Sequence, residues 1–137
     1  MRLEGKVAIV TGGSRGLGRA MTLRLAQHGA TVAVVYASDE AAAKEIEREA
    51  AALGGTVRSY RCDVADSNQV AATVKVINTD LGPVDVLVNN AGIIRDGLAA
   101  SIKDEDFDAV LNTNLKGAFH FIKHCYFGFI RKRSGSI

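Results

Sequence analysis

Apolar residues fall along this chain in two alternating kinds of run. Residues 6–11, 31–36 and 84–89 are short, rich in β-branched side chains and nearly unbroken in their hydrophobicity, and residues 56–64 complete a set of four predicted strands. Continuous apolar character is what a strand shows when both faces of its sheet are covered. Between them, residues 15–28, 39–53 and 66–80 predict helices. The first stops at Gly29 and the third at Gly82-Pro83; the second is rich in Ala, Glu and Lys, opens on Asp39 and stops at Gly54-Gly55. Such residues are the usual start and stop signals of helices. The resulting β-α-β-α-β-α-β order predicts an α/β fold, a doubly wound parallel sheet with right-handed crossovers.

Beyond the fourth strand, residues 104–131 predict one long helix capped by Asp104 or Ser101. Its apolar stripe reads Phe107, Val110, Asn114, Ala118, Phe121, Cys125 and Phe129, advancing by three or four residues at each step. Asn114 is the one polar member of that stripe. A buried amide costs stability unless its hydrogen bonds are met. It is therefore either a satisfied core asparagine that bends the helix or a group with a function. Asn112 falls off the stripe and is expected in solvent. The chain shows no repeat, linker or low-complexity tract, and its length suits a single domain.

The candidate chemistry lies after the first strand, at Thr11-Gly12-Gly13-Ser14-Arg15-Gly16-Leu17-Gly18. A buried strand that breaks into glycines and then enters a helix brings several backbone N–H groups to one point. Glycine permits positive φ in the turn and, lacking a Cβ, lets a pyrophosphate approach the backbone. The helix that follows aims its positive dipole end at the same place. The spacing from Gly12 is Gly-x-x-x-Gly-x-Gly rather than the more common Gly-x-Gly-x-x-Gly. Arg19-Ala20 replaces the Lys-Ser/Thr that a P-loop needs. Phosphate binding, by a dinucleotide, is the expectation; the alternative is a glycine-rich turn that binds nothing.

Ligands of open α/β sheets bind beyond the carboxyl ends of the strands, which would set Asn90, Ala91 and Gly92, after the fourth strand, beside the glycine turn. Asn89-Asn90-Ala91-Gly92 also reads as a plain strand-ending turn. Asp63-Val64, ending the third strand, could meet an adenine, or Asp63 could simply cap the next turn. An acid closing the second strand would favour NAD. Here that strand ends in Tyr36-Ala37-Ser38, and Asp39 is better placed to start a helix. Arg15 could instead pair with a 2′-phosphate and Ser38 donate to it, so NADP is preferred to NAD.

Composition narrows the field. The 137 residues are 47% apolar and 23% charged, with a net charge of +2, ordinary values for a soluble globular protein with no acidic partner. The N-terminus lacks the apolar region of a signal peptide and no stretch reaches membrane-spanning length, so a cytoplasmic protein is expected. Cys62 and Cys125 are expected to be buried and reduced. His120 and His124 have zinc-compatible spacing, but Phe121 occupies the place of the metalloprotease glutamate and no third ligand is apparent. No metal is therefore expected. Arg131-Lys132-Arg133 suits a helix C-terminus rather than nucleic acid. Phe119, Phe121, Tyr126, Phe127 and Phe129 are dense enough to serve both a core and a subunit interface.

Taken together, the turn at 11–18, Asp63-Val64, Asn89-Asn90-Ala91-Gly92 and Asn114 resemble the short-chain dehydrogenase/reductase family, in order and over the whole chain. The resemblance implies a Rossmann-like sheet, truncated after the fourth strand and the long helix. It assigns Gly12, Gly13, Ser14, Arg15, Gly16, Leu17 and Gly18 to the cofactor phosphates and ribose, Asp63 and Val64 to the adenine, and Asn90 with its neighbours to the nicotinamide ribose. Asn114 matches the asparagine that holds a water in the family's proton relay. Residues 93–98 and 112–115 are most similar to the branch that reduces 3-oxoacyl thioesters of acyl carrier protein with NADPH, in fatty acid synthesis, and are shared by acetoacetyl-CoA reductases. Family members of this kind are homo-oligomers. The family's catalytic Ser and Tyr-x-x-x-Lys follow a fifth strand, which would begin near Ser134. None of Tyr36, Tyr60 and Tyr126 has a lysine four residues later. The chain by itself is therefore expected to be inactive, and its fourth strand to have an unpaired edge.

Overall fold

The structure is a computed structural model and describes residues 2–93, 97 and 99–137. Four parallel strands, β1 (Val7–Thr11), β2 (Thr31–Tyr36), β3 (Thr56–Arg61) and β4 (Val86–Val88), lie in the order β3-β2-β1-β4. The first two crossovers move outward from β1, and the third returns past it. That reversal opens a crevice between β1 and β4 at the carboxyl ends of the strands.

Alternate residues of the strands feed two cores. Ala8, Val10, Val32 and Val34 pack with Ala26 of α1 (Gly16–Gln27) and with Ile46 and Ala50 of α2 (Glu40–Ala52). Val7, Ile9, Ala33 and Val35 pack with Val70, Val74 and Ile77 of α3 (Ser67–Leu81) and with Phe121 and Cys125 of α5 (Gly117–Lys132). Helices thus cover both faces, which is why the inner strands β1 and β2 are apolar at nearly every position, whereas β3, at the sheet edge, alternates with polar residues. The helix stops fall at Gly29, Gly54 and Gly82, all with positive φ.

Two strands are shorter than their patterns suggest. β3 ends at Arg61 because the next residues turn: Ala65 N–H donates to Asp63 Oδ1 at 3.0 Å and Asp66 N–H to the Asp63 carbonyl at 3.0 Å. Asp63 and Val64 therefore follow the strand rather than end it. β4 keeps three residues. Its outer edge is not bare, since Leu87 N–H donates to Ser136 O at 2.9 Å and Ser136 N–H to Asp85 O at 3.0 Å, a parallel bridge opposite Val86.

The long helix also differs. It runs as α4 (Asp104–Leu111), a π-helical segment (Asn112–Lys116) and α5. Its N-cap is Lys103, without a side-chain cap bond, so neither Asp104 nor Ser101 serves. Asp104, Glu105 and Asp106 instead lie in the first turn, where the dipole favours acids. A π turn adds one residue to the helix and so shifts its phase by about 100°. Phe121 and Cys125 lie buried on α3, whereas upstream Phe107 is 53% exposed and Asn114 also reaches solvent. The apolar stripe holds through α5 and is lost before it. Asn112 is exposed, as its position off the stripe suggests.

Candidate functional site

At the carboxyl ends of the strands lies a cavity of about 310 Å³. The β1–α1 turn contributes Gly12, Ser14 and Arg15, and the β2–α2 loop contributes residues 36–39, Ser38 among them. Cys62, Asp63 and Val64 form the wall after β3; Asn90, Ala91, Gly92 and Ile93 close it after β4, with Thr113 of the π segment. Three separate sequence motifs thus meet in one place.

The glycines of the turn do different jobs. Gly12 has φ +63°, and a Cβ on it would sit 3.0 Å from Ala91 Cα. Gly16, at φ +59°, turns the chain into α1. Gly13 and Gly18 lie behind the cavity wall and serve packing: a Cβ on Gly13 would sit 2.8 Å from Thr22 Oγ1, and one on Gly18 would run into the Gly12 carbonyl. Leu17 is 79% exposed and does not line the cavity.

Two threonines hold the site together, and the sequence reading passes over them as site residues. Thr11 Oγ1 accepts from Asn90 N–H at 3.0 Å and from Ala91 N–H at 2.9 Å, bracing the post-β4 loop against β1. Buried Thr22 donates to the Gly13 carbonyl at 3.2 Å. Asn90 Nδ2 adds a bond to the Gly12 carbonyl at 3.1 Å. The signal available was a hydroxyl at a strand end and another on the inner face of α1; what it meets depends on loops distant in sequence.

Asn114 does not line the cavity. Its amide accepts from Ile93 N–H at 2.8 Å and donates to the Ile93 carbonyl at 3.1 Å, clasping the loop from the π segment. The amide is satisfied, but at an exposed position rather than in a core. Of residues 93–98, which carry part of the branch resemblance, Ile94, Arg95, Asp96 and Leu98 lie outside the described residues.

The charge pattern favours an anion at the glycine turn. α2 is capped by Asp39 Oδ1, which accepts from Ala42 N–H at 3.0 Å, and α3 by Asp66. The N-cap of α1, Arg15, makes no side-chain cap bond, and no acid lies in the first turn. Among the described residues the leading N–H groups of α1 therefore have no capping side chain, and its dipole faces no acid of its own first turn. Of the two cavity carboxylates, Asp39 bonds the first turn of α2 and Asp63 its own loop backbone. Asp63 ties its own turn, as the capping reading has it, and also lines the cavity.

Other reactive groups are quiet. Cys62 and Cys125 are buried and free. Burial pushes both thiols up, Cys125 to about 11, so neither is a thiolate at neutral pH. Burial, with Asp80 accepting from its hydroxyl, raises Tyr60 to about 12. His120 Nδ1 lies 2.8 Å from the Val64 carbonyl, and His124 Nε2 lies 3.4 Å from Ser67 Oγ. Among the described residues no three His, Cys, Asp or Glu side chains are grouped to hold a metal, and no helix is long and apolar enough to cross a membrane.

Comparison with known proteins agrees with this geometry. Residues 6–137 match the short chain dehydrogenase family. A 3-oxoacyl-[acyl-carrier-protein] reductase of Thermotoga maritima is 45% identical over all 137 residues, which correspond to 55% of its length. A short chain dehydrogenase of Burkholderia cenocepacia in complex with NADP superposes with a TM-score of 0.89 at 38% identity, covering 93% of this chain and 52% of that one. An NAD+-bound xylitol dehydrogenase gives 0.92 at 34% identity, covering 98% and 52%. The chain spans about half the length of the curated relatives it matches. With the family's match running through both the glycine turn and the π segment, this chain belongs to the short-chain dehydrogenase family.

Proposed function

We propose that the cavity binds NADP(H) and that the chain is the nucleotide-binding part of a reductase acting on 3-oxoacyl thioesters. The observation that carries the reading is the convergence of the uncapped α1 N-terminus, Arg15 and the loop at 36–39 on one cavity. The residues fit such a group: Gly12 stands where any Cβ would press on Ala91, leaving bare backbone at the wall. Gly12, Gly13, Ser14, Gly16 and Gly18 form or support the pyrophosphate turn, with Leu17 beside it. Arg15 and Ser38 meet the 2′-phosphate, Asp63 and Val64 the adenine, and Asn90, Ala91 and Gly92 the nicotinamide ribose. NADP is favoured over NAD because no acid closes β2, which ends at Tyr36 and is followed by Ala37 and Ser38, while Asp39 beyond them caps α2.

When bound, the reduced nicotinamide supplies a hydride to a carbonyl carbon. This chain's residues would hold and orient the dinucleotide; Asn114 clasps the loop carrying Ile93, and its role in the family's proton relay is part of this proposal. Acyl carrier protein or coenzyme A thioesters are the substrate class suggested by the relatives' names, with acetoacetyl-CoA as the simplest test substrate. No Tyr-x-x-x-Lys occurs among the 137 residues, so the polypeptide tested alone binds without turning over. This favours a nucleotide-binding module as its second reading.

One titration separates these statements. NADPH fluorescence should quench saturably on adding the 137-residue protein, with NADH binding more weakly, and acetoacetyl-CoA should not be reduced. Absence of saturable quenching would sink the cofactor reading; measurable turnover would sink the view that these residues lack the general acid.

A further inference from the structure

β3 is an edge strand, and its last residue points across to the loop that lines the cavity. Arg61 pairs in register with Tyr36, the last residue of β2. Its Nε–H donates to the Ala37 carbonyl at 3.1 Å, beyond the point where the sheet's own hydrogen bonds end. The side chain lies on the α2 face of the sheet, because Ser59, two residues earlier, bonds Glu47 of α2 from the same face. Residues 37–39 line the cavity and are all exposed, so little packing holds them. Among the described residues their other hydrogen bonds are local: Glu40 N–H donates to the Ser38 carbonyl at 3.0 Å, and Asp39 caps α2. Arg61 ties the loop from another strand. It also sets a cation close to the loop's Asp39 and to Glu40, the first residue of α2, both negative.

We propose that Arg61 is a positioning residue for recognition of the cofactor's 2′-phosphate: it holds the 37–39 loop through the Ala37 carbonyl and supplies, with Arg15, the positive charge that offsets Asp39 and Glu40. The proposal rests on the reading that the cavity takes NADP(H). A guanidinium suits this because it can donate Nε–H to a carbonyl while its charge still acts on a nearby phosphate. Being exposed, the contribution should weaken as salt is raised.

The test uses adenosine 2′,5′-bisphosphate and 5′-AMP, which differ only in the 2′-phosphate, titrated calorimetrically into the 137-residue protein. Arg61→Gln should weaken the bisphosphate about tenfold and leave 5′-AMP within about twofold, and Arg61→Lys should restore most of the difference. Equal losses for both ligands, or no loss for either, would overturn the assignment of Arg61. A wild-type protein that binds 5′-AMP but gains nothing from the 2′-phosphate would overturn the NADP(H) reading itself, which separates the two failures.

Discussion

Gly18 and Gly128 are both helical glycines, yet the space around them predicts opposite outcomes for the same substitution. A Cβ on Gly18 would collide with the Gly12 carbonyl and lie 2.5 Å from Asn90 Nδ2. Neither can retreat freely, since one is backbone and the other is hydrogen-bonded to that backbone. Gly18→Ala should therefore destabilise the protein by about 1–3 kcal/mol and weaken NADPH binding. A Cβ on Gly128, inside α5, meets nothing within 4 Å. Gly128→Ala should stabilise by about 0.5–1 kcal/mol, because alanine loses less backbone entropy in a helix. Urea denaturation of both variants checks the pair, and a Gly18→Ala protein as stable as wild type would contradict the packing argument. At this scale the glycine spacing was legible in the sequence, but not the division of labour within it. Gly12 and Gly16 answer to φ, whereas Gly13 and Gly18 answer to neighbours that only the fold brings near.

Asp85 joins three elements at the amino end of the sheet. Its carboxylate accepts from Val7 N–H at 2.8 Å, at the start of β1, and pairs with Lys132 at the end of α5; its backbone N–H bonds the Val7 carbonyl at 2.8 Å. Partial burial works against ionisation, but the bonds from Lys132 and Val7, with the charges of Lys132 and Lys6, hold the carboxyl below its usual range. In mild acid the folded protein then binds fewer protons here than the unfolded chain. The stabilisation is complete above the unfolded carboxylate value and is lost as pH falls through the depressed folded one. The denaturation midpoint should drop between about pH 5 and pH 3, and Asp85→Asn should cost about 1–3 kcal/mol at pH 7 while flattening that drop. A variant with an unchanged pH profile would show that Asp85 is not the joint. The elements themselves were largely legible, because strand runs and glycine stops are local signals. The π segment was not. Stepping by three and four continues across residues 107–118, and inserting one residue leaves that spacing intact while turning its face away from α3.

The molecule as a whole leaves a second apolar stripe uncovered beside the buried one. Leu115, Phe119, Ile122, Tyr126 and Ile130 advance by three or four residues and are 36–66% exposed, and Phe127 flanks them at 70%. On α5 this stripe adjoins the one that packs Phe121 and Cys125 into the core. A chain with a net charge of only +2 has little repulsion to keep such surfaces apart. The aromatic density read from the sequence for a core and an interface is thus divided between two adjacent faces, a division hydrophobicity alone could not show because both are equally apolar. The exposed face should drive association of two copies through α5. Sedimentation equilibrium should show a monomer–oligomer equilibrium that Phe119→Glu shifts to monomer, since a charge buried in a paired interface is costly without a partner. Phe119 is 59% exposed and does not line the cavity, so the variant should keep the wild-type circular dichroism and NADPH quenching. A clean wild-type monomer across the accessible concentrations would refute this, and an oligomer unmoved by the glutamate would place the interface elsewhere.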